Sequence, residues 1–277
     1  MSRVKVLYVL GMSYSGSSLL GFVLGAVPEV WNLGEVKVFP REHKLSRICT
    51  CKKPTLECEY WGALYRQNLQ VFNKGSRWMR WSITLRLLLG LPVKAKSNHG
   101  DAHMLAAALE HAKSFESRST WLVDTSKSLW RLLVLWTDPD IEVKVIYLKR
   151  GAKENIASYR KHGHGFFKAL FQYALFHLLA KRWLRRYTTE SQSLTLHHED
   201  LALREQEAMK SISAFMELDY SGYKEQMKSR VYHIRTGNPR TVDQFRDGVE
   251  GFFYDEHWKD ILKPIQLNLL TQLFRSN

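Results

Sequence analysis

An apolar run that leads directly into a glycine- and serine-rich turn constrains the fold of this chain more than any other feature. Residues 4–10 read VKVLYVL, and GMSYSGSSLL follows them. A continuous apolar run is typical of a strand buried in a parallel sheet, and Ser18–Leu24 is predicted to begin a helix. A strand, turn and helix in this order present backbone N–H groups and a positive helix end to an anion. The segment therefore predicts a phosphate-type site.

Two later segments repeat the order of buried strand, polar turn and helix. The strands are predicted at Trp121–Val123 and Val143–Leu148, with helices after them at Ser128–Thr137 and Ala152–His162. These repeats favour an α/β fold, a three-layer sandwich around a central parallel sheet, with helical insertions covering one edge. Ligands of such sheets bind beyond the carboxyl ends of the strands. We therefore expect the polar residues that follow the strands to form the site.

The net charge of the chain favours anionic ligands but does not distinguish among the classes of them. Lys and Arg outnumber Asp and Glu by 41 to 27, which gives a net charge of +14. This surplus suits a polyanionic ligand, nucleic acid or an anionic membrane surface. The apolar N-terminal run has no small-residue cleavage site, and no stretch is long enough to span a membrane. The sequence predicts a cytoplasmic protein with one domain, residues 1–277.

The turn after the first strand has the glycine spacing of an ATP- or GTP-binding loop but lacks its lysine. Gly11 and Gly16 match the spacing, and Ser17 occupies the position of the lysine. A kinase-like phosphotransferase that uses ATP and magnesium, with Asp124 as the metal ligand, is one alternative. A basic nucleic-acid-binding protein is another, although the basic residues are dispersed and no known nucleic-acid module is present.

The turn resembles the 5′-phosphosulfate loop of sulfotransferases that use 3′-phosphoadenosine 5′-phosphosulfate (PAPS). Residues 15–20, SGSSLL, match the pattern S-G-[ST]-[ST]-L-L of that family. The family more often has a cation before the S-G pair, where this chain has Tyr14. The resemblance implies that PAPS is the co-substrate, that no metal is required, and that the loop binds the nucleotide. The loop residues implied are Ser13, Tyr14, Ser15, Gly16, Ser17 and Ser18.

Two further segments match the same family. Its 3′-phosphate is bound by an Arg at a strand end and a Ser eight residues later, as Arg150 and Ser158 are spaced here. Bacterial members often read D-x-S-K-x-x-x-R, which this chain matches from Asp124 onward. The resemblance implies that Lys127 is catalytic and supplies the charge that the first loop lacks. Arg131, four residues beyond that lysine, is predicted to contact the substrate.

The remaining predicted site residues follow from the resemblance as well. Glu35 is predicted to accept the proton of the acceptor hydroxyl, with His43 as the reserve candidate at the substrate. A late G-N-x-x-R segment that closes over the nucleotide matches Gly237, Asn238 and Arg240. The Glu199-Asp200-Leu201 segment resembles the family's Y-E-D-L and is predicted to be structural.

The function implied is transfer of a sulfuryl group from PAPS to a hydroxyl, with release of adenosine 3′,5′-bisphosphate. The acceptor is a small molecule, a carbohydrate or a lipid, and no nucleic acid is expected as a partner. Residues 30–118, a helical insertion that contains the cysteines, are expected to contribute to the acceptor site. Two stretches rich in Trp, Leu and Arg, residues 75–92 and 166–186, also suit peripheral membrane contact. Packing over the sheet is the favoured interpretation of these stretches.

The three cysteines of the chain lie in one short stretch, Cys49, Cys51 and Cys58. With a fourth ligand such as His43 they could bind zinc. The spacing between the first two is not that of a usual zinc knuckle, so the sequence favours a disulfide or three buried thiols.

Overall fold

A parallel five-stranded sheet in the order β2-β3-β1-β4-β5 lies at the centre of the described structure. The computed structural model describes residues 3–37, 48–67, 77–93, 99–234, 241, 252–254 and 256–274. The strands are β1 (Val4–Gly11), β2 (Val30–Asn32), β3 (Trp121–Asp124), β4 (Ile141–Lys149) and β5 (Ser193–His197). The first strand, which is apolar on both faces, occupies the middle of the sheet. The three strands predicted from the sequence are confirmed.

Helices cover both faces of this sheet. They are α1 (Ser17–Leu24), α2 (Glu59–Arg66), α3 (Arg77–Leu88), α4 (His99–Lys113), α5 (Leu129–Trp136), α6 (Ala152–Lys161), α7 (Phe166–Tyr187), α8 (His198–Leu203), α9 (Glu205–Met216), α10 (Tyr223–Ser229), α11 (Trp258–Ile261) and α12 (Pro264–Leu273). Because side chains alternate along a strand, Tyr8 and Leu10 pack in the layer of α2–α5 and α7. Leu7 and Val9 pack against α1 and α8–α10. The predicted α/β sandwich is confirmed.

The sequence pattern missed the two outer strands, β2 and β5. The strand β2 has only three residues, VWN, so it offers no apolar run to detect. The strand β5, SLTLH, lies at the edge, and most of its residues are partly or fully exposed. A half-exposed edge strand contains polar residues, so its sequence resembles that of a turn and is not recognised as a strand.

The register of the strands brings the polar turns to one edge of the sheet. Tyr8 pairs with Asp124 across β1 and β3, while Gly11 pairs with Leu148 across β1 and β4. All these strands run parallel, so the turns that follow them leave the sheet on the same side. This arrangement places the loop after β1 near Lys127 and Arg150, as expected of a ligand-binding edge.

A buried arginine ties β3 to two helices just below this edge. The Nε atom of Arg131 lies 2.5 Å from Oδ2 of Asp124, and its Nη1 lies 2.8 Å from Oδ1 of Asp101. All three side chains are fully buried. Burial would lower the pKa of Arg131, but the two carboxylates raise it above its ordinary value. The guanidinium therefore remains charged and joins β3 to α4 and α5.

This burial corrects the predicted role of Arg131. The resemblance to the D-x-S-K-x-x-x-R segment predicts that Arg131 contacts the substrate. Arg131 lies one helical turn after Lys127, and its side chain is buried beneath the edge of the sheet. There it binds Asp101 and Asp124. A guanidinium without exposed surface is not available to a substrate, so Arg131 is a structural residue.

Replacing Arg131 with Met is predicted to destabilise the fold by about 3–5 kcal/mol, because two buried carboxylates lose their counter-charge. Urea unfolding followed by circular dichroism measures this loss. The control is Arg204→Ala, which removes an exposed ion pair with Asp200 and should leave the urea midpoint nearly unchanged. Similar midpoints for the two variants would show that the buried triad does not stabilise the fold.

Candidate active site

The loop after β1 has a shape that its glycine makes possible. Gly16 adopts a left-handed conformation, with φ of 87°, immediately before α1 begins. A Cβ atom at this position would lie 2.5 Å from Nδ1 of His198, so no other residue fits without movement. Tyr14 is also left-handed, with φ of 64°. The two left-handed residues curl the backbone into a concave turn of the kind that binds anions.

Two serines of this loop face inward. Ser15 and Ser17 are buried, with exposed fractions of 1% and 2%. Within the described part of the chain, Oγ of Ser15 has no hydrogen-bond partner. The residue before α1 is Gly16, which has no side chain to cap the helix. A buried hydroxyl without a partner beside an uncapped helix start fits a loop that binds a phosphate-type group.

Arg150, which follows β4, and Asn155 of α6 bind two carbonyl groups of this loop. Arg150 donates from Nη1 to the carbonyl oxygen of Tyr14 at 2.7 Å, and Asn155 donates from Nδ2 to that of Ser13 at 3.0 Å. With its carbonyls bound in this way, the loop keeps its N–H groups for a ligand. Asn155 was not anticipated from the sequence, although it lies one helical turn before Ser158.

Arg150 and Ser158, the predicted 3′-phosphate ligands, lie in direct contact. Nη1 of Arg150 donates to Oγ of Ser158 at 3.2 Å. The backbone around Arg150 is also fixed, because Tyr173 donates from its hydroxyl to the Arg150 carbonyl at 2.9 Å. The structure therefore brings a planar cation and a hydroxyl together beside the loop, a combination suited to a phosphate group.

Glu199 and Glu154 surround Gly151, the residue after Arg150. Oε1 of Glu199 accepts a hydrogen bond from the Gly151 N–H at 2.8 Å. A Cβ atom at Gly151 would collide with the carboxyl of Glu154 and lie 3.2 Å from Oε1 of Glu199. A residue larger than glycine would therefore need space that these two side chains already fill.

Tyr14 does not replace the cation of the family loop. Its ring stacks on His162 with centroids 4.2 Å apart, and it meets Tyr159 edge-on at 5.1 Å. Both partners belong to α6 or its C-terminal end. The side chain of Tyr14 therefore fastens the loop to α6, and the positive charge near the loop comes from elsewhere.

The two predicted catalytic residues, Glu35 and Lys127, form an ion pair. Nζ of Lys127 lies 2.5 Å from Oε1 of Glu35, and both side chains are largely buried. Lys37, which the sequence analysis did not single out, lies 3.5 Å from the other oxygen of Glu35 and donates to the Ser126 carbonyl at 2.6 Å. This cluster contains one carboxylate and two ammonium groups.

Glu35 and Lys127 shift each other's pKa. Burial would raise the pKa of Glu35, but Lys127 and Lys37 outweigh it and lower that pKa below its ordinary value. Burial lowers the pKa of Lys127, and Glu35 limits this decrease. Glu35 is therefore ionised at neutral pH, as a proton acceptor must be.

The turn that carries Lys127 is fixed by hydrogen bonds to Tyr8 of β1 and by a hydrogen bond within the turn. The hydroxyl of Tyr8 donates to the Ser128 carbonyl at 2.8 Å and accepts from the Ser128 N–H at 2.9 Å. Asp124 accepts from the Ser126 N–H at 2.9 Å. Lys127 itself is left-handed, with φ of 63°. These contacts on both sides of Lys127 fix its position.

Four predicted site residues lie outside the described part of the chain. They are His43, Gly237, Asn238 and Arg240. Their proposed roles stay predictions.

Comparisons with known proteins agree with the fold. The sulfotransferase domain of the Synechococcus PCC 7002 olefin synthase superposes with a TM-score of 0.56 at 16% identity, covering 100% of this chain and 96% of that one. The sulfotransferase domain from the curacin biosynthetic pathway gives 0.52 at 14% identity, covering 100% and 99%. Sulfotransferase STF9 from Mycobacterium avium gives 0.51 at 13% identity, covering 99% and 76%.

A comparison with curated protein sequences yields no significant match. The family described as "Sulfotransferase domain" matches residues 7–249, which include the loop after β1, Arg150 with Ser158, and the Glu35–Lys127 pair. This match extends over most of the chain, and its family transfers sulfuryl groups. The chain belongs to the sulfotransferase family.

Proposed function

We propose that this enzyme transfers the sulfuryl group of PAPS to a hydroxyl acceptor. The contact between Arg150 and Ser158 beside the serine-rich loop carries the proposal. It gives one sheet edge two neighbouring anion sites, and PAPS has anionic groups at both its 5′ and 3′ positions. Ser13–Ser18 and Lys127 are assigned to the 5′-phosphosulfate, and Arg150 with Ser158 to the 3′-phosphate.

The Glu35–Lys127 pair suits an in-line displacement at sulfur. The acceptor oxygen forms the new bond to sulfur, the bond to the 5′-phosphate oxygen breaks, and Glu35 takes the acceptor proton. Lys127 stabilises the charge that develops on the leaving oxygen. When the Lys127 ammonium turns toward that oxygen, Glu35 loses its nearest cation and becomes a stronger base.

The environment of Asp124 disfavours the kinase alternative. One carboxylate oxygen binds Arg131, and the other accepts the Ser126 N–H. A carboxylate engaged on both oxygens inside the core is poorly placed to hold magnesium. Sulfuryl transfer by fixed cations and N–H groups needs no metal, which agrees with the serine at position 17.

The acceptor is proposed to be a hydroxyl of a small molecule, a carbohydrate or a lipid. Glu35 and Lys37 belong to the insertion at residues 30–118, so this insertion is proposed to line the acceptor site. We retain the expectation that nucleic acid is not a partner.

The exposed face of α3 favours peripheral contact with a membrane. Trp78 and Trp81 are 85% and 67% exposed, and Leu85 continues the same helical stripe. Arg182 of α7 donates to the carbonyl of Leu88, the last residue of this helix, and Arg186 donates to the carbonyl of Gly90 beyond it. These contacts place two cations near the stripe. In the described residues no helix has the length and apolar character to cross a bilayer. Exposed tryptophans flanked by arginines suit an anionic bilayer surface.

Calorimetric titration with adenosine 3′,5′-bisphosphate tests the proposed donor. We expect binding without magnesium, because the site uses cations of the protein, and we expect ATP to bind much more weakly. Binding of ATP alone, dependent on magnesium, would overturn the proposal.

Arg150→Ala sharpens this test. Loss of a charge-assisted contact of about 1.5–3 kcal/mol should weaken bisphosphate binding about 10- to 150-fold. Adenosine 5′-phosphate should lose less affinity, because it loses only the support that Arg150 gives to the loop through the Tyr14 carbonyl. Lys161→Ala, which removes an exposed cation at the end of α6, is the matched control. An equal loss for both nucleotides would show that Arg150 does not recognise the 3′-phosphate.

Lys127→Met is predicted to lower kcat far more than it weakens binding of adenosine 3′,5′-bisphosphate. Removing this cation also raises the pKa of Glu35, so the acidic limb of the kcat/KM profile should move to higher pH. The control Lys37→Met removes the more distant and more exposed cation and should move that limb less. Unchanged limbs in both variants would exclude Glu35 as the base.

The double variant Trp78→Ala, Trp81→Ala should reduce flotation with vesicles of phosphatidylcholine and phosphatidylglycerol by at least about tenfold, since each indole buries apolar area in the bilayer. Leu203→Ala, an exposed apolar residue in the opposite layer, is the control. A wild-type protein that stays with the unbound fraction at low salt would refute membrane contact.

A further inference from the structure

Three cysteines and a histidine from distant parts of the sequence meet at one point. The ligand atoms of Cys49, Cys51, Cys58 and His233 all lie within 4.8 Å of one another. Cys49 and Cys58 are buried, His233 is 7% exposed, and Cys51 is partly exposed. The sequence suggested His43 as the fourth member, whereas the structure supplies His233. This set of side chains is separate from the sulfuryl-transfer residues.

The distances in this cluster are those of ligands around one small ion. Sγ of Cys49 lies 3.7 Å from Sγ of Cys58, and Sγ of Cys58 lies 3.2 Å from Nδ1 of His233. Tetrahedral zinc with ordinary bond lengths places two sulfurs about 3.8 Å apart and a sulfur and a nitrogen about 3.6 Å apart. These two distances therefore differ from the zinc values by only a few tenths of an ångström, and the remaining ligand atoms lie within 4.8 Å of one another.

The backbone around the first two cysteines forms a tight turn. The Cys49 N–H donates to the Lys53 carbonyl and the Lys52 N–H to the Cys49 carbonyl, both at 2.9 Å. Lys52 is left-handed, with φ of 65°. This turn directs Cys49 and Cys51 to the same point despite their short spacing, a geometry that the sequence pattern did not reveal.

The other two ligands are positioned independently of an ion. Cys58 is the residue before α2, where the positive helix end favours a thiolate. Trp61 of the same helix donates from Nε1 to the His233 carbonyl at 2.6 Å. Thr50 bonds the residues on both sides of His233, accepting from the Ile234 N–H at 2.9 Å and donating to the Tyr232 carbonyl at 2.5 Å. The site is therefore assembled before it is filled.

We infer that Cys49, Cys51, Cys58 and His233 bind one structural zinc ion. Three sulfurs and one imidazole in a closed tetrahedron match the ligands that zinc prefers at structural sites. Binding replaces the thiol protons, which leave to solvent, and no oxidation or reduction takes place. A cavity of about 460 Å³ borders Cys51 and His233 and gives the ion a route inward.

A disulfide between two of the cysteines explains the arrangement of the four side chains less fully than a zinc ion does. No disulfide joins these cysteines, and bonding Cys49 to Cys58 would leave Cys51 and His233 converging on nothing. A zinc ion uses all four groups. It would also join the segment after Glu35 to the segment before Gly237, which are the two parts of the chain expected to border acceptor and nucleotide.

Elemental analysis of the full chain, purified without chelators or added metal, tests this inference. We expect one zinc per chain, falling to near zero in Cys51→Ser and in His233→Ala. The matched control is His111→Ala, because His111 also stacks on Tyr60 but is not a ligand. Zinc that persists in both ligand variants, or that is lost equally in the control, would overturn the inference.

A second measurement uses only the wild-type protein, so it does not depend on a variant that folds. Titration with a mercurial thiol reagent in the presence of a zinc indicator should release one zinc as three thiols react. Replacement by cobalt(II) should give the visible bands of a tetrahedral thiolate site. Protein that contains no zinc and takes up neither zinc nor cobalt, or that shows a Cys49–Cys58 disulfide by mass spectrometry, would refute the site.

Discussion

The ligand-binding edge of this sheet depends on one buried guanidinium. Arg131 lies between Asp101 and Asp124 with no exposed surface, so three charges are removed from water together. Such an arrangement contributes little net stability compared with apolar residues of similar shape, but it is unforgiving of the loss of any member. Its effect is positional: it fixes the end of β3, and through the next three residues it fixes Lys127.

Arg150 has a comparable double role at the neighbouring strand. Its guanidinium binds the carbonyl of Tyr14 and also Ser158, so the side chain that shapes the loop is also the one proposed to bind a phosphate. The aromatic stack of Tyr14 on His162 joins loop and helix a second time. A loop without its own cation is therefore supported from outside, by Arg150 after the end of β4 and by residues of α6 and its C-terminal end.

The sequence was informative where one stretch of chain carries the whole signal. The apolar runs of β1 and β4 predict buried strands from local sequence alone. The spacing of Arg150 and Ser158 likewise lies within one short segment. Contacts between distant segments were not visible: His233 reaches the cysteines only because Thr50 and Trp61 hold it there. The role of Arg131 was also hidden, because a sequence pattern gives its position on α5 but not the two carboxylates beneath it.

The central position of β1 in the sheet has a consequence for folding during synthesis on the ribosome. Lys5 pairs with Trp121, and Val4 pairs with Ile141, so β1 lacks these sheet partners until the chain after it has been synthesised as far as β3 and β4. At ordinary ribosomal rates this interval is roughly ten seconds. During it an apolar strand remains without these neighbours, and contacts so distant in sequence form slowly. The strand at the centre of the finished sheet is therefore also a segment that benefits from protection by chaperones while the chain is being made.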